Sequence, residues 1–419
     1  MSSDTGGEQA RKTADAVARR SYGKLVAFLA ARTRDVASVE DALSEAFASA
    51  LADWPLNGCP SNPEGWLLTA ARRKLIDFAR RRRTSDVASD ELQRLAAELE
   101  ASTADTGSGL PVPDQRLALM FACAHPAIDA GIRAPLILQV LLGVDAAMIA
   151  SAFLISPATM GQRLVRAKAR IKQMELGFHV PEGKDLPARV VHVLDAVYAA
   201  YTKAWSECGE AQTSPLVTEA IWLAQLVVLL LPEEPEAKGV LALMHYAQAR
   251  IAARRDAEGA YAPLEAHDVR LWDHGQIRRA EDLLRQANAQ GASGRYQIEA
   301  AIQSAHVARR LKGESNWREV VALYDLLSLY APSPVVTLNR AVALANVAGP
   351  VAALAAIEPL AEDRRMAAYQ PYWAALGHLC AEIGRREQAH QALILALGLS
   401  ADPAVRIFLQ RRIDGLQSR

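Results

Sequence analysis

Seventeen consecutive residues, Ser156 to Lys172 (SPATMGQRLVRAKARIK), contain no carboxylate. Thr159, Gln162, Arg163, Arg166 and Arg170 fall together on one helical face, and all can donate hydrogen bonds to phosphates or base edges. The chemistry this permits is recognition of an anion, not bond making. Ser156-Pro157 predicts a helix start, a capping hydroxyl followed by proline at the first helical position. Met160, Leu164, Ala167 and Ile171, spaced 4, 3 and 4 apart, make one apolar stripe. Just upstream, Asp145 to Phe153 predicts a second helix with Ile149, Ala152 and Phe153 on one side. Two helices joined by a tight turn, one side buried and the other basic, fit a helix-turn-helix in a major groove. A solvated basic face on an ordinary helical hairpin fits the same residues.

A second set of charged residues lies upstream. In DVASVEDALSEAFASALADW, Asp41 and Glu45 stand at i, i+4 beside Glu40, which puts carboxylates on one helical face. A solvated acidic face is the plain reading. Then comes PEGWLLTAARRKLIDFARRRR, Pro63 to Arg83, with a net charge of +6 between Arg72 and Arg83. Trp66, Leu67, Ala70, Leu75, Ile76 and Phe78 give it an apolar side. A basic helix interleaved with aromatics suits a nucleic-acid backbone and unstacked bases. A membrane-surface or calmodulin-like helix shares that pattern; the helix-turn-helix downstream favours DNA. Covalent or metal chemistry finds less support. Cys123-Ala124-His125-Pro126 has no second ligand pair and reads as a buried cysteine beside a turn proline. His192, His245, His267, His274, Asp268 and Asp273 stand at no ligand or triad spacing, which points to structural roles and away from an enzyme.

These segments need a frame, and the composition supplies one. The chain has 419 residues, 51% hydrophobic and 22% charged, with net charge zero, enough for two or three domains with sizeable cores. Its four cysteines are far apart with no CxxC pair, which argues against a disulfide framework or zinc ribbon and for a reducing compartment. The start is polar, and the longest apolar run, Ala220 to Leu231, is broken by Gln225 and too short for a bilayer. A cytoplasmic location without membrane partners is the expectation. The fold class expected is all-α. Residues 13–83 form helices with apolar positions at Val17, Leu25, Phe28 and Leu29, then Leu43, Phe47 and Leu51, with a loop from Cys59 to Pro63. Residues 84–113 read as a polar linker, interrupted by a short helix around Glu91 to Leu99. A second helical domain covers 114–175 and a Gly/Pro-rich boundary 173–187. From 187 to 419 the chain is Ala/Leu-rich. Gly313, Gly349 and Gly384, at intervals of 36 and 35, predict tetratricopeptide-like hairpins at about 313–403.

Three stretches together resemble the sigma factors of bacterial RNA polymerase, in the extracytoplasmic function group. VEDALSEAF at Val39 to Phe47 is similar to the polymerase-binding helix of region 2, usually of the form AEDLVQEVF. WLLTAARRKLIDFARRRR from Trp66 resembles the −10 helices, and ISPATMGQRLVRAKARI from Ile155 resembles region 4. ACAHPAI (Ala122 to Ile128), RDAEGAYAPLEAHDVRLWD (Arg255 to Asp273) and YQIEAAIQSAH (Tyr296 to His306) resemble the subgroup with a long carboxy-terminal tetratricopeptide-like extension. Departures are Leu154 at a turn position where glycine is frequent, Ser44 for the usual glutamine, and VYAAYTKAWSE from Val197.

The resemblance implies a non-enzymatic initiation factor with no cofactor or metal. Its partners would be core RNA polymerase, promoter DNA, and a protein or ligand held by a regulatory extension. It implies that Glu40, Asp41, Glu45 and Phe47 dock on polymerase. Trp66, Arg72, Arg73, Lys74, Asp77, Arg80 and Arg81 would meet the −10 element. Thr159, Gln162, Arg163 and Arg166 would read the −35 element, with Lys168 and Arg170 on phosphates. The competing reading is a polymerase-independent helix-turn-helix regulator with a protein-binding repeat domain.

Overall fold

The computed structural model describes residues 3–81, 114–153, 155–174, 178–182, 185–206, 215–291, 293–313 and 315–417. The expected linker at 84–113, its short helix at Glu91 to Leu99, and Leu154 in the helix-turn-helix turn lie outside these residues. The described residues are helical throughout, with short 3₁₀ turns, one isolated bridge between Arg255 and Tyr261, and no strand. None of their helices is long and apolar enough to cross a membrane. The all-α expectation therefore holds. The chain forms two compact units, residues 1–207 with 213–223, and 208–212 with 224–419.

The first unit is built round α1 (Ser3–Thr33), which packs on α2 (Val36–Asn57) and α3 (Pro63–Arg81) and also on α4 (Arg116–Cys123) and α5 (Ala130–Leu142). Asp35 starts α2 by accepting from the Ser38 N–H, and Asn62 starts α3 by accepting from that of Gly65. The pair α6 (Ala146–Ala152) and α7 (Pro157–Gln173) follows, then α8 (Asp185–Ser206). Sequence composition placed the boundary of this unit at 173–187, but the unit runs on through α8. The reason is apolar: Val190, Val193, Leu194 and Val197 of α8 are buried, and α8 packs on α4 and α5.

The division falls within α9 (Pro215–Leu230). In the second unit α10 (Pro235–Ala249) packs against α11 (His274–Asn288) and α12 (Arg295–Lys312). Packed neighbours follow: α13 (Trp317–Tyr330) with α14 (Pro334–Ala348), then α15 (Pro350–Ile357), α16 (Arg364–Ala367), α17 (Gln370–Glu382) with α18 (Arg386–Leu399), and α19 (Pro403–Gln417). Gly313, Gly349 and Gly384, the glycines of the 35–36-residue spacing, sit at helix ends with φ of 72°, 84° and 80°, a region a side chain rarely enters. Leu338, Ala353, Ile357, Tyr372 and Leu379 belong to one core there, and Leu393, Leu409 and Ile413 to the next.

No side chain of its own caps α12. Glu236, from α10, does so instead, accepting from the backbone N–H groups of Tyr296 (2.8 Å) and Gln297 (3.0 Å). A carboxylate at a helix N-terminus also meets the positive end of the dipole. Glu236→Ala is expected to cost ~1–3 kcal/mol by leaving two part-buried donors without their acceptor. Thermal unfolding monitored by circular dichroism checks this; an unchanged midpoint would refute the capping role.

Candidate nucleic-acid and polymerase interface

The helix-turn-helix is present as read. Ser156 caps α7, its side chain accepting from the Thr159 N–H at 3.2 Å, and Pro157 takes the first turn. The buried residues of α7 are Met160, Leu164, Ala167 and Ile171, the four of the sequence stripe. Thr159, Gln162, Arg163, Arg166 and Arg170 are exposed. The hydroxyl of Thr159 lies 2.8 Å from that of Ser156, so it is shared with the cap. Arg163, Arg166 and Arg170 line an open cleft of about 460 Å³ with Ile128, Asp129 and Ile132, at the start of α5. Three guanidinium groups round one cleft can seat phosphate oxygens.

Lys168 leaves this face. Its ammonium is turned inward on the Glu40 carboxylate at 2.5 Å, both side chains being little exposed (11% and 12%). The sequence placed Lys168 among phosphate contacts and Glu40 among polymerase contacts; the structure pairs them with each other. Lys172, one turn on, reaches Asp35 at 2.6 Å. Burial pushes the Glu40 carboxyl above its ordinary pKa, opposed by Lys168 and reinforced by Asp41. Burial acts upward on Asp35 too, but hydrogen bonds from Lys172 and Ser38 outweigh it and hold that carboxyl below its ordinary value.

The other residues of α2 and α3 divide. Asp41 is exposed and Phe47 half-buried. Glu45 pairs with Lys74 at 2.9 Å, so a proposed polymerase contact and a proposed −10 contact touch across α2 and α3. Trp66 is half-buried, edge-on to Trp54 at 5.6 Å, while Arg73 and Asp77 are exposed. Arg72 departs from the expectation. It is buried, its guanidinium 5.4 Å from the centre of the Phe28 ring, because its position on α3 faces α1 and not solvent. Burial, with Arg32 close by, lowers its pKa. Arg80 and Arg81 end the described part of α3, and nothing of their side chains is described.

The remaining candidates have structural tasks. Cys123 is buried, and the His125 Nδ1 accepts from the Ala127 N–H. His245 bonds Gln276, His267 bonds the Ala262 carbonyl, and Asp268 and Asp273 cap helices. His192 Nδ1 lies 3.3 Å from Arg133. Among the described residues no group of three His, Cys, Asp or Glu could hold a metal ion. Sequence reasoning missed Asp35 and Lys172 as partners. Their separation of 137 residues leaves no local pattern to read.

Comparison with known families fits this geometry. Sigma-70 region 2 matches residues 17–85, and a family of unknown function (DUF6596) matches residues 189–288. The amino-terminal helices α1 to α3 are thus a sigma-70 region 2 domain. An uncharacterized protein of Rhizobium meliloti (strain 1021) is 36% identical over 386 residues, covering 91% of each chain. The chain belongs to one family with that protein over nearly its whole length. No solved structure matches.

Asp35 serves as both cap and ion-pair partner, which gives a two-part prediction. Asp35→Ala should cost ~1–2 kcal/mol, and Asp35→Asn less, since the amide oxygen still caps. The depressed carboxyl favours the folded state when ionised. That contribution is complete above the ordinary value of 3.8 and lost as pH falls through the lower folded-state pKa. Urea unfolding of wild type and Asp35→Asn at pH 7 and pH 3 should therefore show a gap that narrows in acid. A gap of constant size would contradict the pairing.

Proposed function

We propose that this protein is a sigma factor of the extracytoplasmic function group, bringing core RNA polymerase to −10 and −35 promoter elements. The observation that carries the reading is the sigma-70 region 2 match over α1 to α3, followed by a helix-turn-helix with an exposed basic face. In a polymerase-independent regulator, α1 to α3 would have no task. The acidic face of α2 docks on polymerase, where complementary charge sets register and association rate. Arg73, Lys74 and Trp66 attend the −10 element, holding a base out of the stack at a cost of a few kcal/mol that stacking and phosphate contacts offset. Arg163 and Arg166 read the −35 element, and Arg170 grips phosphate. The protein performs no covalent step. Helix pairs between Gly313 and Pro403 support a tetratricopeptide-like surface for a regulatory partner.

Run-off transcription with purified core polymerase, this protein and the DNA upstream of its own gene tests the proposal. A discrete transcript requiring both proteins is expected, and none would refute it. In that assay Arg163→Ala and Arg166→Ala should each weaken promoter binding by ~1–3 kcal/mol per lost base contact; wild-type initiation by both would remove the −35 assignment. Charge reversal at Asp41 and Glu45 should slow association with core polymerase and flatten its salt dependence, with the fold intact by circular dichroism. Unchanged co-purification would contradict the docking face.

A further inference from the structure

The two halves of the first unit meet along a seam that neither the region 2 match nor the helix-turn-helix requires. At one end α1 comes so close to α5 that a Cβ on Gly23 would stand 2.1 Å from the Leu141 carbonyl oxygen. Only glycine permits that approach. At the other end Lys168 and Lys172, on the inner side of α7, reach Glu40 and Asp35 at the start of α2. Between them Cys123, at the end of α4, is fully buried. Burial is the main cause that pushes its thiol upward, and the charges of Glu40 and Lys168 both act on it.

We infer that this seam is an autoinhibitory clasp, in which the inner lysines of the recognition helix occupy the acidic face of α2 that core polymerase must use. The inference rests on the sigma reading of α2 given above. Its logic is competition. A basic partner for α2 has to replace Lys168 on Glu40 and Lys172 on Asp35. The same replacement frees α7 from α2, so docking and release of the helix-turn-helix become one event. Roughly thirty residues join α3 to α4, a contour long enough for the halves to separate. The clasp is also poised to yield. Glu40 is a carboxylate kept from water, a cost its one ammonium partner offsets only in part. Polymerase affinity is then reduced by the fraction of molecules that are open, a reduction lifted by anything that opens the seam.

The test compares full-length wild type, Gly23→Ala and Lys168→Glu. Gly23→Ala obstructs the seam with a methyl group while favouring the helix of α1 itself; Lys168→Glu sets two carboxylates face to face. Two quantities are measured: the N-ethylmaleimide alkylation rate of each cysteine, resolved by peptide mass spectrometry, and the equilibrium affinity for purified core polymerase. Cys380, buried in the second unit, is the internal reference. The clasp predicts that both variants label Cys123 at least tenfold faster with Cys380 unchanged, and that Gly23→Ala binds core polymerase at least fivefold tighter. Unaltered Cys123 labelling in both variants would overturn the clasp. Faster labelling with unaltered polymerase affinity would show a packing contact without regulatory effect, and would equally overturn it. If no form of the protein binds polymerase, the sigma reading itself falls, and this inference with it.

Discussion

Six consecutive residues of α1, Leu25 to Ala30, are buried. A helix on the surface of a domain buries one stripe and shows the rest to water. Burial all the way round requires neighbours on every side, and α1 has them: α2 and α3 from the region 2 domain, α4 and α5 from the helix-turn-helix half. The first unit depends on this enclosure. It fixes α3 so that Arg72 lies over the Phe28 ring. It also brings α5 against Gly23 and so sets how α7, packed on α5, meets α2.

Much of this was legible in the sequence, for a physical reason. Local rules act within a few residues, and α7 obeys all of them. The Ser156-Pro157 start, the stripe of Met160, Leu164, Ala167 and Ile171, and the exposed arginines are as the spacing predicts. The region 2 helices were read in the same way. In the extension, the regular glycines fall at helix ends because a positive φ suits them there. What stayed hidden depends on residues far apart in the chain. Val17, Leu25, Phe28 and Leu29 suggested a one-sided α1, whereas the second covering came from α4 and α5. Arg72 stood in an unbroken basic run, and nothing in that run marks which arginine turns inward. The late unit boundary was missed because Gly177, Pro181, Gly183 and Pro187 look like a linker, while the apolar face of α8 that overrides them finds its partners some fifty to seventy residues upstream.

Charge is divided in the same manner. The outer side of α7 carries arginines, whose planar guanidinium groups suit phosphate and base edges. Its inner side carries lysines, compact charges that meet single carboxylates on α2. One helix thus offers two unlike basic surfaces, and only one of them is open in this structure. The region 2 domain has a matching division between exposed Asp41 and the enclosed Glu40.

The central claim is that the outer face of α2 docks on RNA polymerase. Ser44 is exposed at the middle of that helix. The most direct measurement replaces Ser44 with a photo-crosslinking amino acid, irradiates the full-length protein with purified core polymerase, and maps the products by mass spectrometry. The account predicts crosslinks from position 44 to a single surface of one core subunit, suppressed by excess unmodified protein. Absence of any such crosslink, with the variant folded and its cysteines labelling as in wild type, would contradict it.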